Sequence, residues 1–310
     1  MSYSNASTSS LRHIPWNYAM YLMGLVFLLL ARLKSELEGY TTPTVFGNSD
    51  LSTVAKHSRG VFSDWTRALH DYISDPAPFT GKKVLELGPG DSLMTGMLIA
   101  FEKCEYYDAF DMFPLARSTP ADVYRNVLPG ASGPNDVGDL SDLVWNAIQG
   151  KSNYRFCYVV DPEFNLINMA RGRDYDLIVS CAAFEHFNFV EQTIQQLSRI
   201  AKPGCVLCAE IDFKTHSRWI REKDPNNIYR YSDFIYKLFY FPGQPNRVRP
   251  IEYINYLRKF GWTDIRFVPS ELNKEAYMRT TEMFMHENFR LSQEKQMLVL
   301  SGHILARFEG

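Results

Sequence analysis

The chain has 310 residues, 45% of them hydrophobic and 22% charged, with a net charge of −2. That make-up buries a sizeable core and excludes the disordered and collagen-like classes. The near-neutral balance, with no long block of like charges, disfavours a nucleic-acid substrate, because binding a phosphate backbone requires a basic face.

Residues 1–10 are Ser-rich and read as a mobile terminus. Tyr18 to Ala31 is an apolar run of 14 residues. A spanning helix needs roughly 20, and no small-residue cleavage site follows, since the run leads into Arg32, Lys34 and Glu36. The first expectation is a helix packed on the main domain or on a second copy in a homo-oligomer. The alternative is peripheral membrane contact through residues 16–32, with Arg12, Trp16 and Arg32 as interfacial anchors. Val54 to Ile73 is amphipathic, with Trp65, Leu69 and Tyr72 at helical spacing. Pro76, Pro78 and Gly81 then punctuate the chain. Residues 1–78 therefore read as a helical N-terminal cap and 79–310 as the main domain.

From there short apolar runs alternate with longer polar segments, as in a sheet covered by helices. The runs are Lys83–Leu87, Tyr106–Phe110, Arg155–Val160, Asp176–Cys181, Cys205–Ile211, Asp264–Val268 and Met297–Phe308, with a helix at Pro250–Phe260. They predict an α/β fold with a doubly wound, mostly parallel seven-stranded sheet whose last strand enters antiparallel. Residues 112–154, which contain LPGASGPNDVGD, and residues 212–249 are too long for simple crossovers. The second is rich in aromatic residues and is expected to form a lid over the acceptor. The cysteines, Cys104, Cys157, Cys181, Cys205 and Cys208, form no framework spacing, which fits a reducing cytoplasm. Cys205 and Cys208 make a C-x-x-C inside a strand-like run with no second ligand pair, so neither redox nor zinc chemistry is expected of them.

The most informative segment is V-L-E-L-G-P-G-D-S, Val84 to Ser92. A strand ends in a glycine turn and a helix follows from Leu93, so Gly88 and Gly90 let a ligand approach the backbone at the carboxyl end of the first strand. A pyrophosphate site wants G-x-G-x-x-G and no negative charge beside the helix. Here Leu93 stands in place of the third glycine, and Glu86 and Asp91 bracket the turn. Two carboxylates repel a pyrophosphate but tolerate an ammonium and a sulfonium, which selects S-adenosylmethionine.

E-L-G-P-G-D-S resembles the glycine-rich motif of class I S-adenosylmethionine-dependent methyltransferases, and further parts of that pattern follow in order. The resemblance implies that Asp111, with Met112 beside it, meets the ribose; Asp108 is a neighbouring candidate. It implies that Asp161 lies near the adenine. Y-D-L-I-V-S-C-A-A-F-E-H-F, Tyr175 to Phe187, resembles the fourth strand and its "EH" turn, with Cys181 in the cofactor shell. L-S-R-I-A-K-P-G, Leu197 to Gly204, resembles the turn into the fifth strand. I-D-F-K-T-H and P-N-R-V-R are similar to bacterial methyltransferases of cell-surface sugars and natural products. The resemblance covers residues 80–310 and implies methyl transfer to an oxygen or nitrogen of a small polar acceptor, a sugar being the first guess. A cofactor-binding scaffold without turnover and a nicotinamide oxidoreductase are the alternatives.

Methyl transfer is an in-line displacement in which positioning matters most, and an alcohol or ammonium acceptor also needs a base. His186 and His216, each just beyond a central strand, are the candidates, with Asp212 beside His216. Asp212, His216 and Glu210 could instead hold a cation, but hard cations want more oxygen ligands, so no metal is expected. Arg59 is a candidate for the methionine carboxylate. Tyr229, Tyr231, Asn246, Arg247 and Arg249 are candidates for the acceptor.

Overall fold

The computed structural model describes residues 13–39, 51–118, 124, 134–151, 154–290 and 297–310. The Ser-rich terminus, Arg12 and residues 128–133 of the Gly/Pro-rich stretch lie outside the described residues.

Seven strands form one sheet: β1 (Lys83–Leu87), β2 (Tyr106–Asp111), β3 (Phe156–Val160), β4 (Tyr175–Cys181), β5 (Ala201–Asp212), β6 (Trp262–Leu272) and β7 (Val299–Phe308). Their order is β3-β2-β1-β4-β5-β7-β6. The first five pair in parallel, and β7 enters antiparallel between β5 and β6. The chain steps outward from β1 to β3 and then returns to β4 on the other side of β1. Crossovers leave in opposite directions at that point, so a crevice opens at the carboxyl ends of β1 and β4, where sheets of this kind bind ligands. Leu87 is paired with Ser180 there, which sets the glycine turn beside the segment leading to His186.

Alternation along the strands divides the core into two clusters, one on each face of the sheet. Leu85, Leu87, Phe110 and Ile178 lie in one; Val84, Tyr107, Ala109 and Val179 lie in the other. The same alternation sends Cys205 and Cys208 to opposite faces, so this C-x-x-C cannot join two sulfurs. Both thiols are free and buried.

Among the described residues, the N-terminal segment forms two helices with different tasks. Helix Leu51–Ile73 buries Trp65, Leu69 and Tyr72 in the same cluster as Val84 and Tyr107. Its Trp65 Nε1 donates to the Ser180 carbonyl at 3.3 Å and its Tyr72 hydroxyl to the Asp264 carbonyl at 3.0 Å. It is a layer of the sheet domain rather than a detachable cap.

The first helix, Ile14–Glu38, has 25 residues, well beyond the 14-residue apolar run. A length of about 37 Å at 1.5 Å per residue exceeds the hydrocarbon thickness of a bilayer. By length and composition it could cross a membrane, and only 17% of its most apolar window is buried. Its protein-facing side packs on Asn227 and Tyr231. Gly24 is required there, since a Cβ would lie 2.0 Å from the Asn227 Oδ1 and the Tyr231 hydroxyl. Asn227 Nδ2 donates to the Met20 carbonyl at 3.0 Å, and the Tyr231 hydroxyl to the Tyr21 carbonyl at 2.9 Å. On the outer side Leu22, Met23, Val26, Leu29, Leu30, Leu33 and Leu37 are exposed.

Candidate active site

Gly88 and Gly90 both adopt positive φ, +66° and +76°, a region that suits glycine. Gly88 is also held by packing, because a Cβ there would sit 2.5 Å from the Ala183 Cβ. Gly90 faces open space, with no atom within 4 Å of where a Cβ would lie. Its N–H donates to the Asp111 Oδ2 at 3.3 Å, and the Asp111 Oδ1 accepts from the Phe113 N–H at 3.3 Å. Burial pushes the Asp111 carboxyl up to about 6, against the pull of those amides.

Strand alternation separates the two candidate acids of β2. Asp108, three residues before Asp111, projects from the opposite face and is bonded to Arg173 and to the Tyr175 hydroxyl, each at 2.7 Å. Its lone pairs serve the core, whereas Asp111 lies at the crevice.

Glu86 does not bracket the turn as the sequence suggests. It is buried under it, accepting from the Thr95 hydroxyl at 2.8 Å and the Tyr107 hydroxyl at 2.6 Å. Burial pushes its carboxyl up to about 7. It ties helix Met94–Phe101 to β1 and β2. Asp91 is partly buried, which raises its pKa, while the charge of His57 on helix Leu51–Ile73 opposes the shift. Arg59 lies on the same helix and is exposed, as is His57.

Asp161 follows β3, its N–H donating to the Asp111 carbonyl at 3.0 Å. Its carboxylate caps the next turn through the amides of Glu163 and Asn165, each at 3.1 Å. Met112 is half-buried against the core. The Cys181 thiol donates to the Glu210 carboxylate at 3.4 Å, and burial first, then that charge, pushes it well up.

The amides that would cradle a pyrophosphate are occupied. The Leu93 N–H donates to the Tyr124 hydroxyl and the Met94 N–H to the Ser92 hydroxyl, each at 3.2 Å. With the Gly90 N–H turned onto Asp111, three of the amides around the helix start are bonded within the chain.

Beyond β4 and β5 a second constellation forms. Ala182 takes a positive φ of 50° and its N–H donates to the Glu210 carbonyl at 3.0 Å, turning the chain into Phe184–His186. The His186 Nδ1 lies 2.5 Å from the Gly243 carbonyl. A carbonyl only accepts, so Nδ1 carries the proton and Nε2 keeps its lone pair. The His216 ring stands 4.8 Å from that of His186. Its Nε2 is buried without a hydrogen bond, 4.0 Å from the Asp212 Oδ2. Burial lowers the pKa of both imidazoles, most strongly at His216, where His186 adds to the shift. Asp212 is paired with Arg221 and accepts from the Lys214 N–H at 3.0 Å.

Glu185 completes this group, a residue whose only sequence signal is that it adjoins His186 in the "EH" pair. Its side chain is buried, and neither carboxylate oxygen has a hydrogen bond. Burial pushes the carboxyl well up, Asp212 adds to the shift, and the amide dipoles of Glu185 and Asp212 partly offset it. Donor atoms of Glu185, His186 and His216 lie within 4.8 Å of one another. Glu210 faces Cys181 and, at 3.9 Å, His303, so the grouping of Asp212, His216 and Glu210 is not the one the fold assembles.

The residues expected to meet the acceptor are committed within the fold. Tyr229 donates to the Phe213 carbonyl at 2.9 Å and accepts from Arg249 at 3.0 Å. Tyr231 bonds Tyr21 and Asn227. Asn246 Nδ2 donates to the carbonyls of Phe184 at 2.8 Å and Phe187 at 3.1 Å, clamping the "EH" turn. Arg247 donates to the carbonyls of Ile228 and Tyr231 and pairs with Asp233. A long aromatic segment broken into short helices, Arg218–Arg221, Asn227–Arg230 and Asp233–Leu238, satisfies many of its polar groups in this way. The cavity that touches the histidines, of about 500 Å³, is lined by His186, Thr215 and His216 on one side and by Phe27, Leu28 and Ala31 of the first helix on the other. A second, of about 1020 Å³, is lined by Asn246 and Arg247 but by neither histidine.

No protein-family model and no curated protein matches this chain. Among solved structures it is similar to the CurJ carbon methyltransferase, with a TM-score of 0.49 and 18% identity over 99% of this chain and 71% of that one. It is also similar to an S-adenosylmethionine dependent methyltransferase from Mesorhizobium loti, with a TM-score of 0.39 and 10% identity over 74% of this chain and 92% of that one. A third is phosphoethanolamine N-methyltransferase 2 from Haemonchus contortus, solved with S-adenosyl-L-methionine, with a TM-score of 0.40 and 12% identity over 74% of this chain and 49% of that one. At such identities the likeness is one of overall architecture, and the reading of the site rests on its own geometry.

Proposed function

We propose that the chain is a methyltransferase that binds S-adenosylmethionine at the carboxyl ends of β1–β3 and methylates an oxygen or nitrogen of a small polar acceptor held at the ends of β4 and β5. The observation that carries this reading is the Gly90 turn. It has room for a ligand and its N–H is turned onto a buried carboxylate, while the helix amides beyond it are capped by the chain's own hydroxyls. Such a site suits a ligand with hydroxyls and positive charge and rejects a pyrophosphate, which disfavours the nicotinamide reading.

In this scheme Asp111 accepts from the ribose hydroxyls, Gly88 and Gly90 let the ligand lie against the backbone, and Asp91 meets its ammonium. When bound, S-adenosylmethionine supplies a sulfonium methyl for in-line displacement. His186 and His216, neutral because they are buried, present lone pairs to the acceptor and orient its attacking atom. Thr215 in the same cavity adds a hydroxyl for a polar acceptor, which favours a sugar-containing molecule. A cytoplasmic protein resting on a membrane through the outer side of helix Ile14–Glu38 fits the exposed leucines.

The test is incubation of the full chain with methyl-labelled S-adenosylmethionine and a panel of sugar and amine acceptors. Formation of S-adenosylhomocysteine with labelled product, absent in Gly90→Val, is the expected result. Turnover that Gly90→Val leaves intact would remove the glycine turn from the site.

A further inference from the structure

Among the described residues, Glu185 and His216 stand out at the crevice for buried polar atoms without a partner. Both oxygens of the Glu185 carboxylate and the Nε2 of His216 are buried with no hydrogen-bond partner. A buried carboxylate without a well-formed hydrogen bond is an unfavourable arrangement unless it takes up a proton or a partner arrives from outside the chain. Two imidazole nitrogens and one carboxylate form the donor set that binds zinc in hydrolytic sites, where a fourth position stays open to substrate. His186 has the outer support such a ligand requires. Its Nδ1 donates to the Gly243 carbonyl at 2.5 Å, which fixes the ring and leaves Nε2 as the coordinating atom.

We propose that Glu185, His186 and His216 hold a divalent transition-metal cation of the zinc type, with its open position facing the cavity lined by His186, Thr215 and His216. The three donors come from two loops, beyond β4 and beyond β5, and lie within 4.8 Å of one another. A tetrahedral zinc with bonds of about 2.1 Å sets its donors about 3.4 Å apart, so side-chain rotation of about an ångström closes the site. The borderline donors favour zinc over magnesium or calcium, which want carboxylates, carbonyls and water. The rival occupant is a proton on Glu185 shared with the His216 Nε2, which would leave the group closed to any ion.

The metal site does not depend on methyl transfer, but its purpose rests on that reading: the imidazoles would then act on the acceptor through the cation rather than by direct contact, and the cation would lower the pKa of an acceptor hydroxyl and hold its oxygen in place.

The experiment strips the full chain with a chelator and titrates it with zinc alone against a chromogenic competitor. One equivalent should bind, with affinity reduced by at least about 100-fold in Glu185→Gln and in His216→Ala. Cobalt in place of zinc should give the visible absorption of a four- or five-coordinate ion, lost in both variants. Circular dichroism shows whether each variant folds, and His186→Gln replaces any that does not. No stoichiometric binding by the parent, or equal binding by the folded variants, overturns the proposal and leaves the proton as occupant. Calorimetry of S-adenosylmethionine on the stripped chain separates the two readings. Zinc bound without cofactor affinity refutes the methyltransferase and keeps the metal, and the reverse outcome refutes the metal alone.

Discussion

The two halves of the crevice differ in how their polar groups are satisfied. At the ends of β1 to β3, Glu86, Asp108 and Asp161 all bond to the chain itself. Asp111, beside the open space at Gly90, is a buried carboxylate that accepts from main-chain N–H groups. At the ends of β4 and β5, Glu185 and His216 keep buried atoms with no partner. The first half satisfies these groups within the chain, whereas the second leaves buried groups without a partner. Substitutions in the first half should therefore act on cofactor affinity, and those in the second on turnover.

The largest effect should come from Gly90→Val. A branched side chain enters the ligand's space from a backbone at φ +76°, so binding of S-adenosylmethionine should fall below detection. Strain of about 1–3 kcal/mol should lower the melting temperature without unfolding the protein. Binding at parental affinity in the folded variant would break the comparison at its first half.

His186→Ala should lower turnover by about 10²- to 10⁴-fold with cofactor affinity nearly unchanged, the usual range for removing a group that handles a proton. His216→Ala should do the same. Steady-state rates beside equilibrium titrations decide it, and a change in affinity equal to the change in rate would merge the two halves.

Asp111→Ala should weaken cofactor binding by about 1.5–3 kcal/mol, the loss of charge-assisted hydrogen bonds. Asp108→Ala should instead destabilise the fold, because it leaves Arg173 and Tyr175 without their acceptor. Calorimetric affinity and thermal melting of the pair separate the roles, and the reverse assignment would contradict the strand register.

A smaller effect is set by pH. The folded Asp111 carboxyl is raised to about 6, so it is protonated below that value and charged above it. Only the charged form accepts both ribose hydroxyls, so cofactor affinity should decline as pH falls through about 6. The sign is opposite for folding. A carboxyl raised above its unfolded value binds its proton more tightly in the native state, so Asp111 contributes less stability as pH rises from about 4 to about 6. Affinity that does not change across that window in the parent, or changes equally in Asp111→Ala, would exclude Asp111 from the site.

The smallest effect on affinity should follow from starting the chain near Leu51. Helix Ile14–Glu38 touches the cavity through Phe27, Leu28 and Ala31 but lines no part of the glycine turn. Solubility and co-sedimentation with liposomes should change, and cofactor affinity should not.

Most of the frame is legible in the sequence because it follows local rules. The strand and turn from Val84 to Gly90 are fixed by apolar residues followed by two glycines with positive φ, and period-two alternation decides between Asp108 and Asp111. The same alternation, applied to β1, places Glu86 on the face where Tyr107 and Thr95 wait for it. What is not legible depends on contacts between distant segments. The Gly243 carbonyl meets His186 across 57 residues, and Asn246 reaches Phe184 across 62. No local pattern could show that Tyr229, Tyr231 and Arg247 would be used inside the insertion, nor that Asp224 and Arg230 would form a buried ion pair there at 2.8 Å. The first helix extends past its apolar run because Lys34, Glu36 and Glu38 carry i,i+4 pairs with their neighbours, a signal the hydropathy of the run conceals.

The most direct test of the account is equilibrium titration of the full chain with S-adenosylmethionine and, separately, with NADH. One site should bind S-adenosylmethionine, with affinity weakened in Asp111→Ala, and NADH should not bind. Binding of NADH in preference, or no binding of S-adenosylmethionine by the folded protein, would contradict it.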